Sequence, residues 1–99
     1  MATEVDDEFY DRADTHIQLA NKHVDEINRG KVSASFMYAL ARFNAWVSAC
    51  GFDSADEMRA AREKTIDYFV SEYRKMLEEN LDDYTENFDK YMRPDRNNA

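Results

Sequence analysis

Apolar residues recur at helical spacing through the first third of the chain. They follow one another at intervals of three or four positions and form a single stripe: Phe9, Ala13, Ile17, Ala20, Val24 and Ile27. This spacing predicts an amphipathic helix over about residues 5–29. Gly30 follows directly, and because glycine readily adopts the left-handed conformation that commonly ends a helix, we expect the helix to stop there.

The next segment, about residues 34–50, is apolar on nearly every side. Its large side chains are Phe36, Met37, Tyr38, Leu40, Phe43, Trp46 and Val47. Ser33 or Ser35 can cap the start of a helix here, and Gly51 can end it. A helix that is apolar all round is typical of a buried position, so we expect neighbouring helices to cover it on two or more sides.

A capping box predicts the start of a third helix. Ser54 is followed three positions later by Glu57, a pair whose side chains satisfy backbone amides of the first turn. Apolar positions then continue at helical spacing over residues 55–79 and again over residues 82–92. One helix from 55 to 92 would be roughly 57 Å long, whereas the second helix would be only about 24 Å. We therefore favour a break near residues 80–83 and a fourth helix over 82–92; the alternative is an unbroken helix covered by another copy of the chain.

Together these patterns predict an all-α fold, an antiparallel three- or four-helix bundle with short turns in a single domain over residues 1–92. Leu, Ile, Val and Phe make up only 18 of the 99 residues, and the net charge is −8. That combination borders on the composition of disordered chains. Because Tyr, Met, Trp and Ala complete the helical stripes, we expect a folded domain, with disorder confined to residues 1–4 and the polar tail 93–99.

The charge and the cysteine content exclude several function classes. The 13 basic residues are scattered through an acidic chain, which argues against binding to nucleic acid or to an anionic membrane surface. The first eight residues are acidic and lack the apolar core of a signal peptide, and no apolar run approaches the roughly 20 residues of a membrane span. The single Cys50 provides neither an intramolecular disulfide nor a metal–thiolate cluster. We expect a cytoplasmic protein without a cofactor.

Five blocks of the sequence resemble those of a known family. They are FYDRAD at 9–14, LAN at 19–21, GKVSASFMYA at 30–39, ARFNA at 41–45 and MLEENLDDY at 76–84. These blocks resemble the DUF3144 family, small and mostly proteobacterial proteins with no assigned function, and the resemblance spans about residues 8–92. It implies a small helical bacterial protein and supplies no catalytic residues to carry over.

Two groups of polar residues are candidates for a chemical site. His16 and His23 lie seven positions apart on one helix, so their rings are separated by roughly 10 Å along the axis and cannot share one ion without strain. We therefore expect no metal site, and no catalytic constellation is present. Arg42 interrupts the most apolar helix and predicts either an anion clamp, a structural bridge to Asp11 or Asp14, or a solvent-facing position. The residues predicted to line a small-ligand pocket there are Tyr10, Asp14, Tyr38, Arg42 and Trp46.

The function that this sequence favours is a non-enzymatic protein-interaction module, with self-association as a homodimer among the options. Aromatic residues, Met and Arg are the types enriched at interfaces. An acidic run interleaved with aromatics near the C-terminus is also of a kind that docks on basic partner surfaces. The predicted contact face consists of Leu81, Tyr84, Phe88, Tyr91 and Met92. The alternative is a small-ligand-binding protein or minor enzyme that uses the pocket around Arg42 and Asp14.

Overall fold

The computed structural model describes residues 5–94, and the regular secondary structure of this part of the chain is α-helix. It forms five helices and no strand: α1 (Phe9–Val24), α2 (Arg29–Ala49), α3 (Ala55–Ala60), α4 (Arg62–Glu86) and α5 (Phe88–Met92). The predicted all-α class is confirmed. The helices belong to two compact units, of which the first ends at Gly51 and the second begins at Phe52.

The turn between α1 and α2 lies earlier than the sequence pattern indicated. The first helix was predicted over residues 5–29, but α1 ends at Val24, where the amides of Glu26 and Ile27 both donate to the carbonyl oxygen of His23. The stripe residue Ile27 therefore belongs to the turn and not to the helix. At the other end, α1 begins only at Phe9, after Glu8, whose side chain forms no cap.

Asn28, and not a serine, begins the second helix. Its side-chain oxygen accepts a hydrogen bond of 2.9 Å from the amide of Lys31, which satisfies one of the free amides of the first turn. The predicted cap at Ser33 or Ser35 is therefore wrong, and the Ser35 hydroxyl bonds back to carbonyl groups within the helix. Gly30 lies inside α2 with a negative φ, so it does not end α1 in a left-handed conformation as predicted. The end of α2 beside Cys50 agrees with the prediction.

Packing between α1 and α2 is concentrated next to their turn. Val32, in the first turn of α2, is 6% exposed and is the buried apolar residue of the described part of the chain. Few residues that are a dozen or more positions apart in sequence approach each other closely. Further along the pair, Ile17 of α1 and Phe43 of α2 remain 49% and 60% exposed. The hairpin is thus closed at the turn and open away from it.

The predicted capping box begins the second unit. The Ser54 hydroxyl accepts a bond of 3.1 Å from the Glu57 amide, and the Glu57 carboxylate accepts a bond of 3.0 Å from the Asp53 amide. The carboxylate thus bonds the amide one residue before Ser54, whereas in the usual capping box it bonds the amide of the capping residue itself. Helix α3 ends at Ala60 and α4 starts at Arg62. The helix predicted over residues 55–79 is therefore interrupted at Ala61, whose backbone leaves the helical region with φ −94° and ψ 5°.

Removing the cap provides a direct test of this start signal. We expect Ser54→Ala to lower the free energy of unfolding by about 1 kcal/mol, because the first turn of α3 loses a hydrogen-bond acceptor. Ser71→Ala is the matched control, since Ser71 is exposed in the interior of α4, where alanine is the better helix former. Urea unfolding at fixed protein concentration measures both. Equal stability of the two variants would contradict the role assigned to Ser54.

The predicted break near residues 80–83 is wrong, because α4 runs without interruption through this region to Glu86. The Asn80 side chain donates to the carbonyl oxygen of Met76 one turn earlier, which keeps this polar residue compatible with the helix. The interruption lies at Asn87, whose backbone leaves the helical region with φ −116° and ψ 31°. Its side-chain amide donates to the Asp83 carbonyl oxygen at 3.1 Å and also to the Asp83 carboxylate at 2.9 Å.

Helix α5 ends at Met92, as the pattern before Arg93 and Pro94 predicted. The predicted disorder at residues 1–4 and 95–99 lies outside the described residues. Arg93 is described, and its amide donates to the Asp89 carbonyl oxygen. An antiparallel bundle stays a prediction, because residues distant in sequence rarely come together in the part of the chain that the structure describes.

Candidate functional site

The predicted contact face near the C-terminus is exposed in the second unit. We call it the C-terminal face, and it runs from the last turns of α4 through α5. The exposed fractions of its members range from 40% to 57%: Leu81 57%, Tyr84 49%, Phe88 48%, Tyr91 40% and Met92 56%. These large apolar side chains are therefore available for contact, as the proposed binding surface requires.

Within this face the structure brings Tyr84 and Tyr91 together across the break at Asn87. Their ring centroids are 4.6 Å apart, with a tilt of 34° between the ring planes. The Tyr91 hydroxyl donates a bond of 2.9 Å to one carboxylate oxygen of Asp83, whose other oxygen accepts a bond from the Asn87 side chain. This hydrogen bond to Asp83 raises the pKa of the Tyr91 hydroxyl, with smaller contributions from desolvation and from the negative charge of Asp83.

This contact predicts a distinct titration among the six tyrosines. In the native chain we expect Tyr91 to ionise at a higher pH than a tyrosine without a carboxylate partner, and Asp83→Ala to bring its pKa back toward the ordinary value near 10. The contribution of this hydrogen bond to the stability of the fold is present below that ordinary value. It is lost as the pH rises through the raised pKa of Tyr91 in the folded chain.

Absorbance of tyrosinate as a function of pH measures this effect, with Tyr91→Phe identifying the signal that belongs to Tyr91. Asp89→Ala serves as the control, since Asp89 is a carboxylate on α5 that pairs with Arg93 and not with Tyr91. An unchanged titration in Asp83→Ala would show that the hydrogen bond is absent in solution.

Acidic side chains lie between the members of the C-terminal face in the sequence. Asp82, Glu86 and Asp89 are exposed and alternate with its apolar members. One cation, the Lys90 ammonium, lies 5.7 Å from the centroid of the Tyr91 ring. The surroundings of the face are therefore predominantly negative, and a complementary surface would be apolar with a basic rim.

Sequence reasoning missed a second exposed face, on α2. We call it the α2 seam, and it consists of Phe36 (40% exposed), Leu40 (43%), Phe43 (60%) and Val47 (45%). We expected neighbouring helices to cover α2, whereas the structure leaves these side chains exposed. Two signals in the sequence point to this face: the intervals of four, three and four residues, and the lack of any acid between Arg29 and Ala49.

All five residues predicted to line a small-ligand pocket are exposed. Tyr10, Tyr38 and Trp46 are 64%, 69% and 61% exposed, and Asp14 and Arg42 also lie on the surface. Among residues 5–94, neither Asp14 nor Arg42 takes part in an ion pair. Of the three interpretations of Arg42, the structure agrees with the solvent-facing one, and the pocket stays a prediction.

The acid that does pair at the start of α1 is Asp6. Its two carboxylate oxygens accept bonds of 2.7 and 3.1 Å from the guanidinium of Arg12. This hydrogen bonding to Arg12 lowers the pKa of Asp6 below its ordinary value. Both side chains are more than half exposed, so the pair orders the residues before α1 without creating a buried site.

The described part of the chain contains neither a metal site nor a membrane-spanning helix. Between residues 5 and 94, no group of three or more His, Cys, Asp or Glu residues is arranged to hold a metal ion. The helices there also include none with the length and apolar character needed to cross a lipid bilayer. The features that stand out are therefore the two exposed apolar faces.

The fold and these faces define a small all-α protein with exposed amphipathic helices. The chain belongs to the DUF3144 family, described as proteins of unknown function, whose sequence profile matches residues 9–85. The family predicted from the five sequence blocks is thus confirmed. A solved structure that is similar is the NMR structure of a protein from Shewanella sp., with 44% sequence identity and a TM-score of 0.74. The similarity covers 90% of this chain and 95% of that one. No curated protein is similar enough to this chain to count as a match.

Proposed function

We propose that this chain is a non-enzymatic protein-interaction module that binds another protein through its C-terminal face. The observation that carries the proposal is the exposure of five large apolar side chains, each between 40% and 57%, along the end of α4 and along α5. Burial of such side chains in a partner is the main favourable contribution to protein association.

The size of the face supports this interpretation. With side chains of about 150–250 Å² each, half exposure gives a patch on the order of 500 Å². That value is at the upper end of the largest apolar patches found on monomeric proteins, which commonly mark interaction sites. The Tyr84–Tyr91 contact preorganises two of its rings, and preorganisation reduces the entropic cost of binding.

The chemistry around the face specifies the kind of partner. Asp82, Glu86 and Asp89 would meet Lys or Arg side chains at the rim of the partner surface. We therefore expect binding that weakens as salt increases, because rim charges are screened at high ionic strength.

An affinity-capture experiment with three forms of the full chain tests the proposal. The forms are the native chain, the variant Tyr84→Glu/Phe88→Glu and the control Tyr68→Glu/Ser71→Glu, which places the same two charges on exposed residues of α4 outside the C-terminal face. We expect a stoichiometric protein partner to be retained by the native chain and the control and to be lost from the Tyr84/Phe88 variant. A capture profile identical for all three forms would contradict a role for the C-terminal face.

A further inference from the structure

We propose that the α2 seam is the interface for a second copy of this chain. The two copies would pack α2 against α2 in antiparallel orientation around a twofold axis. This inference rests on the proposed function, because it names one partner of the same interaction module, but it concerns a separate face in the first unit.

The spacing of the seam fits helix-on-helix packing. Phe36, Leu40, Phe43 and Val47 follow at intervals of four, three and four residues, the heptad pattern that keeps apolar side chains on one line along a pair of helices. Over these residues the helix rises roughly 16 Å. In an antiparallel pair, Leu40 would pack beside Phe43 of the second copy, and Phe36 beside Val47 of the second copy. Each seam residue would thus meet an apolar side chain.

The charges on α2 favour a second copy as the occupant. A symmetric interface brings the same surface of each copy together, so charged residues beside the seam would face like charges. Here the residues flanking the seam carry no charge: Met37, Ala39, Asn44 and Trp46. Two copies of the seam can therefore pack together without placing like charges side by side. Two copies of the C-terminal face, with its acidic neighbours, could not.

The charges near the start of α2 distinguish the two orientations. The helix carries three cations, Arg29, Lys31 and Arg42, and no acid. Arg42 lies near the middle of α2 and would be close to Arg42 of the other copy in either orientation, whereas Arg29 and Lys31 lie together in the first turn. A parallel pair would place these cations beside those of the other copy, whereas an antiparallel pair separates them by the length of a 21-residue helix. That length is about 31 Å, several times the screening length at physiological salt.

The exposed area is sufficient for a dimer. The four seam residues together with Met37 and Trp46, which are 53% and 61% exposed, offer on the order of 600 Å² per copy. Two copies would bury about 1,200 Å², the lower end of the range for stable interfaces. Ile17 and Val24 on α1, 49% and 42% exposed, can add to this area.

The dimer would also form a bundle, although one built from two copies and not the single-chain bundle predicted from the sequence. Two α1–α2 hairpins that meet across a twofold axis form an antiparallel four-helix bundle. Each hairpin is already closed at its turn around Val32. The second copy would cover the part of α2 where the hairpin is open.

Sedimentation equilibrium of the full chain tests this inference with a pair of matched variants. Phe43→Glu places a charge in the seam. Tyr38→Glu replaces an aromatic residue that is just as exposed, at 69%, but lies roughly 140° around the helix. We expect the native chain and Tyr38→Glu to have twice the mass of one chain. For Phe43→Glu we expect the dimer dissociation constant to rise by about 100-fold or more, since two central aromatic contacts are lost per dimer.

A milder variant covers the case in which Phe43→Glu does not fold. Phe43→Ala retains a strong helix former, and we expect it to keep its helicity at high concentration while the dissociation constant rises by about tenfold or more. Three results would overturn the inference. The native chain could be monomeric at about 1 mM, or Phe43→Ala could form a dimer with the native dissociation constant. The third result is an equal rise of the dimer dissociation constant in the Tyr38 and Phe43 variants. The outcome of the capture experiment on the C-terminal face does not depend on any of these results. The two proposals can therefore be contradicted independently of each other.

Discussion

Replacing Val32 by aspartate is expected to destabilise the α1–α2 hairpin by about 2–4 kcal/mol. Val32 is 6% exposed and lies in the first turn of α2, beside the turn that joins this helix to α1. The variant loses the burial of a branched apolar side chain and places a carboxylate in its position. Few other contacts hold α1 against α2, so we expect this single change to separate the helices.

The neighbouring residue provides a strict control. Ser33→Asp introduces the same charge one position later, at the fifth residue of α2, where Ser33 is exposed. An acid near a helix N-terminus is favoured by the helix dipole, so the control is expected to be neutral or slightly stabilising. Urea unfolding followed by circular dichroism at one protein concentration compares the two variants. If Val32→Asp were as stable as Ser33→Asp, the contact at the turn would not hold the hairpin together.

Dilution is expected to lower the melting temperature of the native chain. If the first unit is completed by a second copy, folding is linked to dimer formation, and each tenfold dilution removes about 1.4 kcal/mol of apparent stability. Between about 100 µM and 1 µM the melting temperature should fall by roughly 5–10 °C. Circular dichroism at 222 nm measures this directly.

Two variants identify which face is responsible for the concentration dependence. Tyr38→Ala should show the same dependence as the native chain, whereas Phe43→Ala should already melt lower at the highest concentration. A melting temperature that does not change with concentration would mean that each chain folds alone, despite the exposure of Phe43 and Trp46.

The helices themselves could be predicted because their signals are local. Stripes of apolar residues fixed the existence of α1, α2 and α4, and the Ser54–Glu57 pair fixed the start of α3 within one residue. The boundaries that were wrong depended on competition between neighbouring signals. Gly30 was expected to end α1. However, the Asn28 side chain accepts a hydrogen bond from the Lys31 amide, so α2 begins before Gly30 and contains it.

The break in the last apolar stretch was misplaced for a similar reason. A shift in the stripe suggested an interruption near residue 80, yet Asn80 bonds to the backbone one turn earlier and the helix continues. The interruption lies at Asn87, whose side chain makes the same bond to the backbone one turn earlier and in addition bonds the carboxylate of Asp83. Two asparagines seven positions apart thus share one contact but differ in the other, and their residue type alone does not distinguish them.

The candidate faces were predictable in part. The apolar spacing along the helix predicts the residues of the C-terminal face. It does not predict the hydrogen bond between Asp83 and Tyr91, because these residues are eight positions apart and lie on either side of the break. The α2 seam was overlooked because a helix apolar on all sides was interpreted as central. The structure shows instead that Phe43 is 60% exposed while Val32 is buried.

The central claim, that a second copy covers the α2 seam, is tested most directly by isotope-filtered NMR on a mixture of labelled and unlabelled chains. In this mixture only contacts between different copies give filtered nuclear Overhauser effects. We predict such effects between the Phe43 ring of one copy and the Leu40 methyl groups of the other, and between Phe36 and Val47, with none from Tyr38. A spectrum without any contacts between copies across α2, at a concentration where the chain is folded, would contradict the account.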